Sequence, residues 1–167
     1  KNMKRRIDLE VEKVDKDHHD HFLNGAIFKV KDLNNGQITY LASGQLLIKG
    51  NGINEEYEIS KDENFENIVK VAKTDNFKEI ILDIDDGVYY SRKINDDKVT
   101  KHIIKDGKAI LPAAIYGHSY EFNEIKAPTS YHKADKSMAY TVIANKDTDT
   151  VIFKFENKRI ELPNTGV

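Results

Sequence analysis

The feature that most constrains this chain is a pair of alternating segments near its two ends, each of which runs its apolar face on into a polar residue. In Ile7-Asp8-Leu9-Glu10-Val11-Glu12-Lys13-Val14-Asp15, apolar residues fall at 7, 9 and 11 with acids between them. A period of two is the mark of a half-buried β-strand, and Lys13 continues the apolar phase. Near the other end, a strand over 150–155 puts Val151, Phe153 and Phe155 on one face, and Asn157 continues that phase. A lysine and an asparagine aimed into an apolar interior call for a partner, because burying a polar group without one is costly.

Strand signals dominate the rest. A polar loop from Lys16 to His21 precedes a strand over 25–30, and Asn34-Asn35-Gly36 is a turn leading into a strand over 37–41. Strand-like pieces occupy 44–49, 78–84 and 88–94. The segments 138–144 and 150–155, with polar residues 145–149 between them, read as a hairpin. One short helix is expected over about 62–73: Ser60-Lys61-Asp62-Glu63 fits a capping box, and Phe65, Ile68, Val69 and Ala72 follow at helical spacing.

Composition narrows the function classes. The 26 Lys and Arg are scattered among 28 Asp and Glu, so no broad basic field offers itself to nucleic acid or an anionic membrane. The absence of cysteine excludes disulfides, thiol catalysis and cysteine-ligated metal together. No apolar run approaches the length of a membrane span, and Lys1-Asn2-Met3-Lys4-Arg5-Arg6 lacks a signal-peptide apolar region. The expectation is an excised or processed piece whose export signal and membrane anchor lie outside it, and which needs no cofactor.

Two motifs carry chemistry. Leu162-Pro163-Asn164-Thr165-Gly166 fits Leu-Pro-x-Thr-Gly, the recognition sequence of sortases, transpeptidases that cleave between Thr and Gly and pass the Thr carbonyl to an amine. The proline fixes the backbone of a segment that must enter a narrow cleft. The second motif is Tyr120-Glu121-Phe122-Asn123-Glu124-Ile125-Lys126-Ala127-Pro128-Thr129-Ser130-Tyr131. It resembles the E-box of collagen-adhesin B-type (Cna B-type, SpaA-like pilin) domains, roughly Tyr-x-Leu-x-Glu-x-x-Ala-Pro-x-Gly-Tyr, with Ser130 in place of the usual Gly and Ile125 in place of a common Thr. Val11 to Asp15 with Gly25 to Phe28, and Phe155-Glu156-Asn157-Lys158, resemble that family's first two strands and its last.

The resemblance implies an all-β, Ig-like sandwich over 1–161. The residues at about 41–104 depart from the family pattern and read as an insertion carrying the short helix, and the Leu-Pro-x-Thr-Gly motif makes 162–167 a sorting signal. The resemblance also implies an intramolecular isopeptide bond between Lys13 and Asn157, assisted by Glu124. Strand phase agrees independently, since Glu124 follows Tyr120 and Phe122 as Lys13 follows Leu9 and Val11. Burial disfavours the charged forms of an amine and a carboxyl group, so a neutral amine can attack while an acid shuttles protons and ammonia leaves. The reaction occurs once, within the protein, and is not enzymatic turnover.

The expected role is a stalk or base domain of an adhesin or pilin, secreted and covalently anchored to the Gram-positive cell wall. Its partners would be sortase and either peptidoglycan or a neighbouring pilin subunit. A rival is a module that uses the insertion to bind a host extracellular-matrix ligand, with Tyr89, Tyr90 and Tyr116 as contact residues. An enzyme would need a polar cleft, and only Asp83-Ile84-Asp85-Asp86 hints at one. His18-His19-Asp20-His21 reads as a solvated loop with no second ligand group, so no metal is expected.

Overall fold

The computed structural model describes residues 6–50, 54–74, 79–143 and 150–161. They form strands β1 (Arg6–Asp15), β2 (Ile27–Asp32), β3 (Ile38–Ala42), β4 (Leu46–Lys49), β5 (Glu56–Ser60), β6 (Ile68–Lys73), β7 (Glu79–Leu82), β8 (Gly87–Lys93), β9 (Thr100–Ile104), β10 (Lys108–Ile115), β11 (Ser119–Lys126), β12 (Met138–Thr141) and β13 (Thr150–Asn157). The architecture is all-β, and no helix occurs among the described residues.

Seven strands make an Ig-like sandwich. One sheet has the order β10-β1-β13 and the other β12-β11-β2-β3. Their inner faces follow from the alternation: Ile7, Leu9 and Val11 of β1 meet Phe28 and Val30 of β2, Tyr120 and Phe122 of β11, and Phe155 of β13 in one buried cluster. Each such side chain removed from water contributes about 1.5–3 kcal/mol. The rings of Phe28 and Phe155 cross edge to face with centroids 5.0 Å apart, bringing the two sheets into direct contact at this level.

β13 does not turn back on β12. It pairs with β1 in parallel, in a register that sets Lys13 opposite Phe155 and Asp15 opposite Asn157, while β12 pairs with β11 in the other sheet. The expected hairpin over 138–155 is therefore corrected: its two strands lie in different sheets, and its polar loop at 145–149 lies outside the described residues. An alternating strand looks the same in sequence whichever neighbour completes it. Here the inward face of β13 is satisfied by Phe28 across the sandwich.

The short helix over 62–73 is also corrected. Asp62 accepts hydrogen bonds from the backbone N–H of Glu66 and of Asn67, at 3.1 and 2.8 Å, and Ser60 Oγ donates to the carbonyl of Asn67 at 2.9 Å. These bonds close a compact loop rather than a helical turn. Phe65 adopts a left-handed φ of 55°, which a helix cannot accommodate. The β-branched Ile68, Val69 and Val71 then extend as β6 against β5.

Residues between β3 and β10 build a second β unit, from the pair β4-β7 and the sheet β6-β5-β8-β9. Its own cluster contains Leu46, Ile48, Tyr57, Ile59, Ile80, Tyr89 and Ile104. The chain leaves and re-enters the sandwich at one place, where the N–H of Gly44 donates to the carbonyl of Lys108 at 2.9 Å. A small contact of Ile27, Ala42 and Leu47, flanked by Tyr40 and Ile81, joins the two units.

Candidate functional site

Three strands deliver Lys13, Glu124 and Asn157 to one end of the sandwich core. Their exposures are 0, 1 and 2%, so none of the three reaches solvent. Each extends the inward phase of its strand: Leu9, Val11, Lys13 on β1; Tyr120, Phe122, Glu124 on β11; Phe153, Phe155, Asn157 on β13. A register shift in the β2–β11 pairing follows Glu124, so the regular ladder ends at the carboxylate.

The structure brings the three together. Lys13 Nζ donates to Asn157 Oδ1 and, at 3.1 Å, to the carbonyl of Phe155. Asn157 Nδ2 donates to Glu124 Oε1 at 2.6 Å and to the carbonyl of His132 at 2.9 Å. Glu124 Oε1 also accepts from the N–H of Ala134 at 2.9 Å. The other carboxylate oxygen, Oε2, lies 3.1 Å from Lys13 Nζ but off the hydrogen-bonding direction, and it has no hydrogen-bond partner. One carboxylate thus touches both nitrogens: the amine through Oε2 and the carboxamide through Oε1.

The walls are aromatic. Lys13 Nζ sits 4.4 Å from the ring centroid of Phe155 and 5.5 Å from that of Phe28. Burial among these rings lowers the Lys13 pKa from 10.5 to about 8, against the opposing pull of the Glu124 carboxylate. An amine with its pKa that low supplies a far larger neutral, nucleophilic fraction near neutral pH than an exposed lysine does.

Several contacts here had no sequence signal. The carbonyl of His132 and the N–H of Ala134 are backbone groups, which any residue type could supply. Asp15 and Tyr131 could have been found: Asp15 continues the phase of β1 beyond Lys13, and Tyr131 closes the E-box-like motif. The Tyr131 hydroxyl donates to Asp15 Oδ2 at 2.8 Å.

The remaining sequence candidates lie apart from this site. Leu162, Pro163, Asn164, Thr165 and Gly166 lie outside the described residues. His18, His19 and His21 are exposed in the loop after β1, where His19 Nε2 pairs with Glu156 Oε2. Asp83 Oδ1 accepts from Gln45 Nε2 at 2.7 Å, and the carbonyl of Asp85 accepts from the Tyr89 hydroxyl at 2.8 Å. These aspartates tie the turn before β8 in place.

No family model matches the chain, and no curated protein matches it. Among solved structures it is similar to the group B streptococcus pilus 2b backbone protein, with 20% identity and a TM-score of 0.46, over 93% of this chain and 42% of that one. It is similar to GBS52, the minor pilin of Streptococcus agalactiae, with 20% identity and a TM-score of 0.46, over 99% and 49% of the two chains. Domains D2 and D3 of the major pilin SpaD from Corynebacterium diphtheriae align with 16% identity and a TM-score of 0.38, over 93% and 48%. The chain spans less than half the length of each of these three.

Proposed function

We propose that this chain is a structural domain, the stalk or base of a cell-wall-anchored adhesin or pilin, stiffened by a self-formed isopeptide bond between Lys13 and Asn157. In this reading sortase acts at Leu162 to Gly166 and joins the Thr165 carbonyl to peptidoglycan or to a neighbouring pilin subunit on the Gram-positive surface. The observation that carries the proposal is the buried contact of Lys13, Glu124 and Asn157, in which one carboxylate bridges the attacking and the leaving nitrogen.

The chemistry follows from that bridge. A proton passes from the Lys13 ammonium to Glu124, leaving a neutral amine and a neutral acid in an apolar site. Nζ attacks Cγ of Asn157, the carboxyl group delivers a proton to Nδ2, and the C–N bond to Nδ2 breaks. Ammonia leaves, and the carboxylate takes up the proton that the new amide nitrogen sheds. Lysine amine and asparagine carboxamide become one secondary amide and one ammonia, with no external reagent. Proximity supplies much of the rate, because both reactants are held in contact by the fold.

The test is an intact mass. The folded protein should weigh one ammonia less than its sequence, and digestion should yield a branched peptide joining Lys13 to Asn157. Glu124→Ala should fold and keep the full mass, since it removes the proton carrier and leaves both reactants in place. A full mass in folded wild-type protein would overturn the proposal.

A further inference from the structure

Asn157 can present its carboxamide in two orientations, and only one suits the chemistry proposed above, on which this inference rests. With Nδ2 towards the carbonyl of His132 and Glu124 Oε1, both amide hydrogens meet acceptors, and Oδ1 meets the Lys13 amine. Turned over, Oδ1 would face the His132 carbonyl and Nδ2 would face the amine. The His132 carbonyl can only accept, so it selects the orientation that sets the leaving nitrogen against Glu124.

That carbonyl is held from two sides. On one, the segment after β11 is clasped to the chain just beyond β13: the N–H of His132 donates to the carbonyl of Lys158 at 2.8 Å, and the N–H of Ile160 donates to the carbonyl of Ser130 at 2.9 Å. On the other, the Tyr131 hydroxyl reaches Asp15 Oδ2, at the end of the strand that carries Lys13. Asp15 is itself fixed, being 2% exposed and accepting through Oδ1 from the N–H groups of Asp17 and His18 at 2.8 and 3.1 Å.

We infer that Tyr131 is a positioning residue for cross-linking: through its hydroxyl on Asp15 it registers the His132 carbonyl against both reacting strands and so fixes the reactive orientation of Asn157. Tyr131 touches neither reacting atom. Its effect is on how often the carboxamide is correctly presented, and so on the rate of ammonia loss rather than on the identity of the product.

The experiment follows ammonia loss by intact mass over time after refolding. Tyr131→Phe, which keeps the ring and deletes the hydroxyl, should link about tenfold more slowly and still reach the same product. Asp15→Ala removes the acceptor and should slow linking similarly, and the double variant should be no slower than either single one. Tyr140→Phe is the control for loss of a buried hydroxyl, because Tyr140 lies 6% exposed in the same core and its hydroxyl bonds Met138 and Lys154, away from the triad. It should link at the wild-type rate. Wild-type linking rates in both Tyr131→Phe and Asp15→Ala, equal slowing by Tyr140→Phe, or additive slowing in the double variant would each overturn the inference while leaving the cross-link standing. Absence of linking in the wild type would overturn both.

Discussion

The sandwich and the β4–β9 unit are both small β structures with an apolar cluster, and they handle buried polarity in opposite ways. The sandwich encloses a lysine, a glutamate and an asparagine that touch one another and little water. The β4–β9 unit puts aliphatic and tyrosine side chains in its centre and keeps its ion pairs at the margin, as in Arg92 with Glu58 at 2.7 Å and Lys93 with Glu55 at 2.9 Å. An unreacted buried triad is poor structural material, since a buried ion pair repays its desolvation only with excellent geometry. On the proposed cross-link, the buried polarity of the sandwich is material for a reaction, whereas the buried polar groups of the β4–β9 unit pair in place, as the Ser91 hydroxyl does with His102 Nε2 at 2.7 Å.

The largest effect should come from removing one reactant. Asn157→Ala cannot link, and the loop between residues 13 and 157 is then open in the unfolded state. Stability of the sandwich should fall by about 4–5 kcal/mol, if the entropy model for disulfides carries over. Hydrogen exchange should show the loss in β1 and β13 and spare the amides of β8. Uniform loss across both units would erase the distinction.

In that unlinked background the trapped amine becomes measurable. The Lys13 pKa in the fold, about 8, lies below its ordinary 10.5, so between those values the unfolded chain binds more protons than the folded one. Stability should therefore rise with pH across that window, by about 3 kcal/mol. The rise should vanish when Lys13→Met is added. A flat difference between the two variants from pH 8 to 10.5 would show that the amine is not held in an apolar site.

The β4–β9 unit has its own pH signature, at the acid end. Burial lowers the His102 pKa from 6.5 to about 4, and the Ser91 hydroxyl bonds its Nε2 at 2.7 Å. The unfolded chain takes up a proton first as pH falls from 6.5 to 4, so this unit should lose about 2 kcal/mol there, less than the full linkage value because the ring keeps some solvent contact. Exchange in β8 and β9 should accelerate in acid while β1 stays protected, and His102→Gln should abolish the difference.

The smallest effect should follow the most drastic edit. Gly44 and Lys108 already meet through a backbone bond, so a short Gly-Ser turn can replace residues 46–105. Loop length alone changes closure entropy by roughly 0.6 kcal/mol per doubling. The shortened chain should fold and link at close to the wild-type rate. Failure to do either would mean that the contact of Ile27 and Ala42 with Leu47 is part of the sandwich core. Should the unit be a host-ligand surface, the same deletion would abolish binding and spare the bond.

Much of this was legible in sequence because a β-strand has a rigid period. Lys13, Glu124 and Asn157 could be placed facing inward by counting in twos from Leu9, Tyr120 and Phe153. Partnership between strands has no such period, and so the parallel pairing of β13 with β1 could not be read. Helix and strand were confused where a loop imitated a cap: Asp62 collects N–H groups as an N-cap residue would, but Phe65 at positive φ turns the chain aside. β10 went unread because its apolar run shows no alternation and contains Pro112, a residue that argues against an interior strand. The backbone clamp on Asn157 leaves no trace in residue identity.

The parallel register of β1 and β13 has a consequence for length. With the proposed bond between Lys13 and Asn157 in place, the parallel strands would be joined near their C-terminal ends, and a pull arriving at Arg6 would travel down β1 to Lys13, cross the amide to Asn157, and leave through Lys158. Every residue from 14 to 156 would hang beside that route and not in it. Left unlinked, those residues would spool out roughly 500 Å of slack when the fold gave way. Linked, the molecule would become a strap whose reach is set by about a dozen residues, and the second β unit would ride on it without ever being stretched.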